Sequence, residues 1–180
     1  MKIVTICGSL RTDSSTRRAL LVAAAAAKDV GASVEFIHLG DFDLSFCDGR
    51  EDESTYGGDT QRFIQIIGGA DGLLIGTPNY HGSFTGVLKN ALDLLGPDAI
   101  RDKLVGLVAT GRGDAGAMNT LNHLRHVCRW MNGWVIPAEV SIPRAQEAFD
   151  ASGTPVREDL EGQLKNLGTE LVRYAGLLER

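Results

Sequence analysis

The chain has 180 residues, of which 43% are hydrophobic and 23% charged, a composition typical of one soluble globular domain over residues 1–180. Lys and Arg number 18 against 23 Asp and Glu, and the net charge of -5 disfavours nucleic acid and anionic membrane surfaces as partners. Without a bilayer-spanning apolar stretch, and with three cysteines that lack disulfide or metal-ligand spacing, we predict a cytoplasmic protein that has no metal site.

Short runs rich in Val, Ile and Leu alternate along the chain with segments of helical periodicity. We predict four strands and a weaker fifth, interrupted by Pro137, at residues 2–7, 33–39, 72–77, 104–109 and 134–142. Helices are predicted at residues 16–30, 60–69, 85–95 and 118–131, and a fifth is predicted near the end of the chain. Five strands alternating with five helices predict an α/β domain, a doubly wound parallel sheet with helices on both faces.

The last of these five helices has the clearest sequence signals. Its leucines lie on one stripe, at positions Leu160, Leu164, Leu167, Leu171 and Leu178. Thr154 followed by Pro155 predicts the start of the helix, as a capping residue and the first helical position. The acidic, turn-rich segment 40–59 is instead predicted to be a long loop that is mobile or borders a site.

Ligands of open parallel sheets bind beyond the carboxyl ends of the strands, so the loops after strands one, three and four are candidate sites. The first loop combines hydroxyl groups with one guanidinium directly before a helix N-terminus, a composition that suits a phosphate monoester. Its candidate ligands are the Arg11 guanidinium and the hydroxyl groups of Ser9, Thr12, Ser14, Ser15 and Thr16. The alternative is that these polar residues only cap the helix.

The loop after the fourth strand contains Gly111, Gly113 and Gly116 in the spacing G-x-G-x-x-G. This spacing occurs in dinucleotide sites, where it follows the first strand and an acidic residue that binds the ribose comes about 20 positions later. Here the motif follows the fourth strand, and the candidate acidic residue, Glu139, comes later than that spacing. A second interpretation is that these glycines let the backbone approach the edge of a flat ligand. No nucleotide triphosphatase loop, hydrolase elbow or catalytic triad is found, and we predict no catalytic side chain.

Three ordered motifs together resemble the NADPH-dependent FMN reductase family, which includes quinone, chromate and azo reductases. They are Gly8-Ser9-Leu10-Arg11 followed by Ser14 and Thr16, then the run from Thr77 to Ser83, then the run from Gly86 to Asp93. The resemblance implies a flavodoxin-like fold with strand order 2-1-3-4-5, and FMN and NADPH or NADH as cofactors.

The resemblance also implies roles for the residues of the three loops. The first loop would hold the FMN phosphate through Ser9, Arg11, Ser14 and Thr16, with Ser15 as an alternative in register. The isoalloxazine ring would lie along Pro78, Asn79, Tyr80 and His81, with Gly82 and Ser83 close behind. Its other edge would meet Thr110, Gly111, Arg112 and Gly113.

The implied activity is ping-pong hydride transfer from NAD(P)H to flavin N5. The electrons would then pass to a small acceptor, such as a quinone, an azo compound, free flavin or a metal oxyanion. The resemblance further implies a homodimer or homotetramer. The alternative is an electron carrier of the flavodoxin type, which would exchange electrons with a protein partner and would not itself react with NADPH.

Overall fold

The computed structural model describes residues 1–178 and contains one parallel sheet of five strands. The strands are β1 (Lys2–Cys7), β2 (Ser33–His38), β3 (Gly72–Pro78), β4 (Leu104–Thr110) and β5 (Trp134–Ile142). They lie in the order β2-β1-β3-β4-β5. The predicted strands agree with these bounds to within one residue, and the predicted doubly wound α/β fold is confirmed.

Within residues 1–178, five α-helices cover the two faces of the sheet. They are α1 (Ser15–Asp29), α2 (Thr60–Gly68), α3 (Gly86–Asp93), α4 (Met118–Trp130) and α5 (Glu158–Leu178). Helices α1 and α5 pack on one face, and α2, α3 and α4 pack on the other, so that β1, β3 and β4 are buried on both sides. None of the helices described in residues 1–178 combines the length and apolar composition needed to cross a bilayer.

Helix α5 begins at Glu158, and the predicted start at Thr154 and Pro155 is wrong. The Asp150 carboxylate accepts the backbone N–H of Thr154 at 2.9 Å, and Phe149 pairs with Pro155 in an antiparallel bridge. These contacts place the Thr-Pro pair in a compact turn ahead of the helix. The predicted apolar stripe is otherwise correct, since its first four leucines are buried, while the side chain of Leu178 lies outside the described residues.

Pro137 is accommodated because β5 is an edge strand with an irregular register. Val105 pairs with Val135 and Leu107 with Glu139, so three residues of β5 lie opposite Gly106 alone. A proline has no N–H to donate to a ladder and is tolerated at such bulges and at sheet edges.

Candidate functional site

A cavity of about 570 Å³ lies beyond the carboxyl ends of β1, β3 and β4. This is the edge at which the strand order reverses between β1 and β3, where ligands of doubly wound sheets bind. Most of the predicted site residues line it, from all three loops: Ser9, Arg11, Ser14, Ser15, Thr16, Pro78, Asn79, Tyr80, Thr110, Gly111 and Arg112. The structure therefore brings together side chains that are up to about a hundred positions apart in the sequence.

The first loop ends in a capped helix start that faces this cavity. Ser14 is extended, with φ -123° and ψ 144°, and its Oγ accepts the Arg17 N–H at 3.1 Å. Helix α1 begins at the next residue, and the first N–H groups of a helix have no partner within it. The positive end of the helix dipole therefore points toward the cavity, which favours an anion there.

The hydroxyl groups of this loop are not equivalent in the structure. Ser15 Oγ donates to the Ala145 carbonyl at 2.5 Å, and Thr16 Oγ1 lies 2.7 Å from Thr110 Oγ1. The Ser15 hydroxyl therefore donates its proton to a protein carbonyl, and one hydrogen bond joins the hydroxyl groups of Thr16 and Thr110. These contacts hold the start of α1 against the end of β4 and the loop that follows β5.

The second loop is rigid because it closes a tight turn. Tyr80 and Ser83 exchange two backbone hydrogen bonds at 2.9 and 3.2 Å, and His81 and Gly82 between them have φ of 55° and 85°. Two consecutive positive φ values are those of a type I′ turn. The Asn79 side chain closes the turn further, because its Oδ1 accepts the Gly82 N–H at 2.8 Å.

Five predicted site residues do not line the cavity described within residues 1–178: Thr12, His81, Gly82, Ser83 and Gly113. His81 and Gly82 form the turn just described. Ser83 instead contacts α4, where its Oγ lies 3.1 Å from His123 Nδ1.

Two glycines of the third loop, Gly111 and Gly116, serve the packing of that loop. A Cβ on Gly111 would lie 2.5 Å from the Gly116 carbonyl oxygen, and Gly116 has φ +66°. Neither position could carry a larger residue without moving the loop. The requirement at Gly111 and Gly116 is internal, so these two glycines need no bound dinucleotide to explain them. A Cβ on Gly113 would have nothing within 4 Å, and packing does not account for that glycine.

The cavity also includes residues that the sequence did not indicate: Asp13, Arg18, Ala145 and Gln146. Ala145 and Gln146 follow β5, whose carboxyl end lies at the same sheet edge as the carboxyl ends of the other strands. That shared edge is the signal from which the loop after β5 could have been predicted to line the cavity. Arg18 is paired with Asp13 at 2.8 Å and donates to the Asp150 carbonyl at 2.7 Å. The long segment 40–59 contributes no lining residue within the described chain.

The cavity differs in charge from the protein around it. Three arginines and one aspartate line it, whereas the whole chain has a net charge of -5. Arg18 is neutralised by Asp13, which leaves Arg11 and Arg112 on opposite loops to attract an anion. A phosphate monoester carries about -1.5 to -2 at neutral pH, which matches two free guanidinium groups.

A sheet of this strand order, with a cationic cavity where the order reverses, places the protein in the flavodoxin-like fold class. Within that class, the chain belongs to the NADPH-dependent FMN reductase family, whose sequence model matches residues 1–147. The membership confirms the predicted oxidoreductase, its flavodoxin-like fold and its dependence on FMN and NAD(P)H.

Named relatives agree with this family. An NAD(P)H-dependent FAD/FMN reductase from Geobacillus thermodenitrificans is 35% identical over 175 residues, which is 96% of this chain and 92% of that protein. An FMN-dependent NADPH-azoreductase from Staphylococcus aureus is 40% identical over 96 residues, about half of each chain (53% and 50%).

Solved structures show the same fold. An apo NADH:FMN oxidoreductase superimposes with a TM-score of 0.77 at 25% identity, covering 96% of this chain and 89% of that one. The flavoenzyme NAD(P)H:acceptor oxidoreductase FerB from Paracoccus denitrificans gives 0.79 at 24% identity, covering 98% and 97%.

Proposed function

We propose that FMN binds in this cavity, with its phosphate on the first loop, and that the protein transfers electrons from NADPH or NADH to a small acceptor by a ping-pong mechanism. The acceptor would be a quinone, an azo compound, free flavin or a metal oxyanion. The observation that carries the proposal is the cationic, hydroxyl-lined cavity at the capped start of α1.

The donors of the first loop support a phosphate at that position. Ser9 is only 3% exposed, and its backbone N–H has no acceptor within residues 1–178. Buried N–H groups are almost always paired with protein, water or a ligand, so this one is available to an anion in the cavity. Arg11 and the free N–H groups at the start of α1 supply further donors, while Ser15 would contribute its backbone rather than its hydroxyl.

The second and third loops support a ring lying between them. The Asn79 N–H donates to the Thr110 carbonyl at 2.7 Å, and the Gly111 N–H donates to the Ile142 carbonyl at 2.8 Å. These bonds fix the two loops relative to each other, so the space between them is preorganised. Tyr80 is 55% exposed at the rim and offers an aromatic surface to an arriving substrate.

FMN, when bound, supplies the redox chemistry, because it takes two electrons from a nicotinamide and gives them to an acceptor. The protein's own residues bind the cofactor, orient it and leave one side open to substrates. The Arg112 N–H, on the third loop, has no acceptor within residues 1–178 and would stabilise negative charge on the reduced ring. The Asn79 and Gly111 N–H groups already donate to protein carbonyls. No side chain is required as a general acid or base.

We also propose that residues 1–180 act as one domain within a cytoplasmic homodimer or homotetramer. Trp130 and Trp134, which are 74% and 61% exposed, support an assembly because such a contact would cover them.

The proposal is tested by adding FMN to the purified protein and following absorbance and flavin fluorescence. We expect a yellow protein with stoichiometric FMN, and anaerobic NADPH or NADH should bleach it without a second protein. A preparation that takes up no FMN would refute the proposed site. One that takes up FMN but is reduced only through a separate reductase would show an electron carrier instead.

A further inference from the structure

Thr85 is a buried residue that joins three elements beneath the first loop. Its hydroxyl donates to the Gly8 carbonyl at 2.7 Å and accepts the Leu88 N–H at 3.3 Å, which caps α3. Its own N–H donates to Thr77 Oγ1 at 3.1 Å. Thr85 is 4% exposed and does not line the cavity.

The bond to Gly8 fixes the peptide that leads into the first loop. A trans peptide is planar, so the Gly8 carbonyl and the Ser9 N–H point in opposite directions. Holding the carbonyl against Thr85 therefore turns the Ser9 N–H away from α3. The Ser9 N–H has no acceptor within residues 1–178, and Ser9 lines the cavity.

Gly8 cannot provide this orientation by itself. A Cβ at this position would lie 3.0 Å from both the Gly76 carbonyl oxygen and Leu88 Cβ, so the packing favours glycine. Glycine leaves the backbone conformation weakly restrained. The Gly8 N–H is held by Gly76 at 2.7 Å, but the Gly8 carbonyl depends on Thr85.

We infer that Thr85 is a positioning residue, whose hydroxyl orients the Gly8–Ser9 peptide so that the Ser9 N–H donates to the phosphate of FMN. The inference rests on the proposed function, since it needs the phosphate in the first loop. It assigns to Thr85 an effect on phosphate recognition that a helix cap alone would not have.

The test compares FMN with riboflavin, which has the same ring and no phosphate. Thr85→Val replaces the hydroxyl by a methyl group of similar size and leaves the Gly8 carbonyl without its donor. We expect the preference for FMN over riboflavin, measured as a ratio of Kd values by fluorescence titration, to fall about tenfold or ~1.4 kcal/mol. Riboflavin affinity should change less than twofold, and Thr85→Ser should restore the preference.

Thr120→Val is the matched control, because Thr120 is fully buried in α4 and its Oγ1 has no hydrogen-bond partner in the described chain. It should leave both affinities unchanged. Should Thr85→Val not fold, Thr85→Ala carries the same expectation. An unchanged ratio, or an equal loss for both flavins, would overturn the inference while leaving the proposed function intact. Failure of the unsubstituted protein to bind FMN would overturn the proposed function itself.

Discussion

At the scale of single residues, the hydroxyl groups around the start of α1 have different roles although their side chains are similar. Ser14 caps the helix, Ser15 donates to Ala145, and Thr16 contacts Thr110. The sequence predicted a phosphate loop from the number of hydroxyl groups. It could not tell which of them remain free, because the partners of Ser15 and Thr16 lie far away in the sequence.

The residue expected to contribute most to phosphate binding is Arg11. In contrast to Arg18, which pairs with Asp13, Arg11 forms no ion pair within residues 1–178. A hydrogen bond to a charged group contributes about 1.5–3 kcal/mol, so Arg11→Ala should weaken FMN binding roughly 10- to 100-fold. Riboflavin binding should stay within about twofold, since riboflavin has no charge for Arg11 to meet.

Arg17→Ala is the matched control for Arg11→Ala. Arg17 belongs to the same segment but is absent from the cavity lining, and its guanidinium lies 5.8 Å from the centre of the Phe36 ring. It should bind FMN like the unsubstituted protein in the same fluorescence titration. Equal FMN affinities for both variants would mean that the phosphate is bound elsewhere.

At the scale of elements, the close packing of α1 on α5 depends on small residues in both helices. The buried side of α1 is mostly alanine, and Gly168 of α5 faces the backbone of Ala23 and Ala27. A Cβ on Gly168 would overlap the Ala23 carbonyl oxygen. The alanine run was visible in the sequence, but the need for glycine on the opposite helix was not.

Two glycines of α5 give a direct test of this packing. Gly168→Ala should lower the free energy of unfolding by about 1–3 kcal/mol, because the helices must move apart. Gly162→Ala should raise it by up to about 1 kcal/mol, because Gly162 is exposed with nothing within 4 Å of an added Cβ, and alanine favours a helix. Urea denaturation measures both, and a stabilising Gly168→Ala would contradict the close contact.

At the scale of the whole molecule, the sheet and its two layers of helices exclude water from groups that would otherwise ionise. Cys128 is fully buried in the core between the sheet and α2, α3 and α4. Burial raises the pKa of this thiol from its ordinary value near 9 to about 12. Burial also raises the pKa of Cys7, on the opposite face of the sheet.

The raised pKa predicts a loss of stability at alkaline pH. Between about pH 9 and 12 the unfolded chain releases the Cys128 proton while the folded chain keeps it, so this group lowers the free energy of unfolding as pH rises. The decrease approaches about 1.4 kcal/mol per pH unit within that window. Denaturation at several pH values should therefore show a steeper decline for the unsubstituted protein than for Cys128→Ala. Equal slopes would contradict the prediction.

The sequence by itself determined the strands, their alternation with helices and the loops that line the cavity. Strands buried on both faces must be continuously apolar, and a phosphate loop must be polar, so both leave local patterns in the chain. It also carried the family motifs from Gly8 to Asp93.

Only the tertiary structure decided which polar groups lining the cavity remain free. The contacts that settle this join residues far apart in the chain, with 130 positions between Ser15 and Ala145 and 94 between Thr16 and Thr110. Local patterns predict backbone conformation and burial, because these depend on neighbouring residues. They cannot predict which distant group accepts a given proton, since that depends on how the sheet brings its loops to one edge.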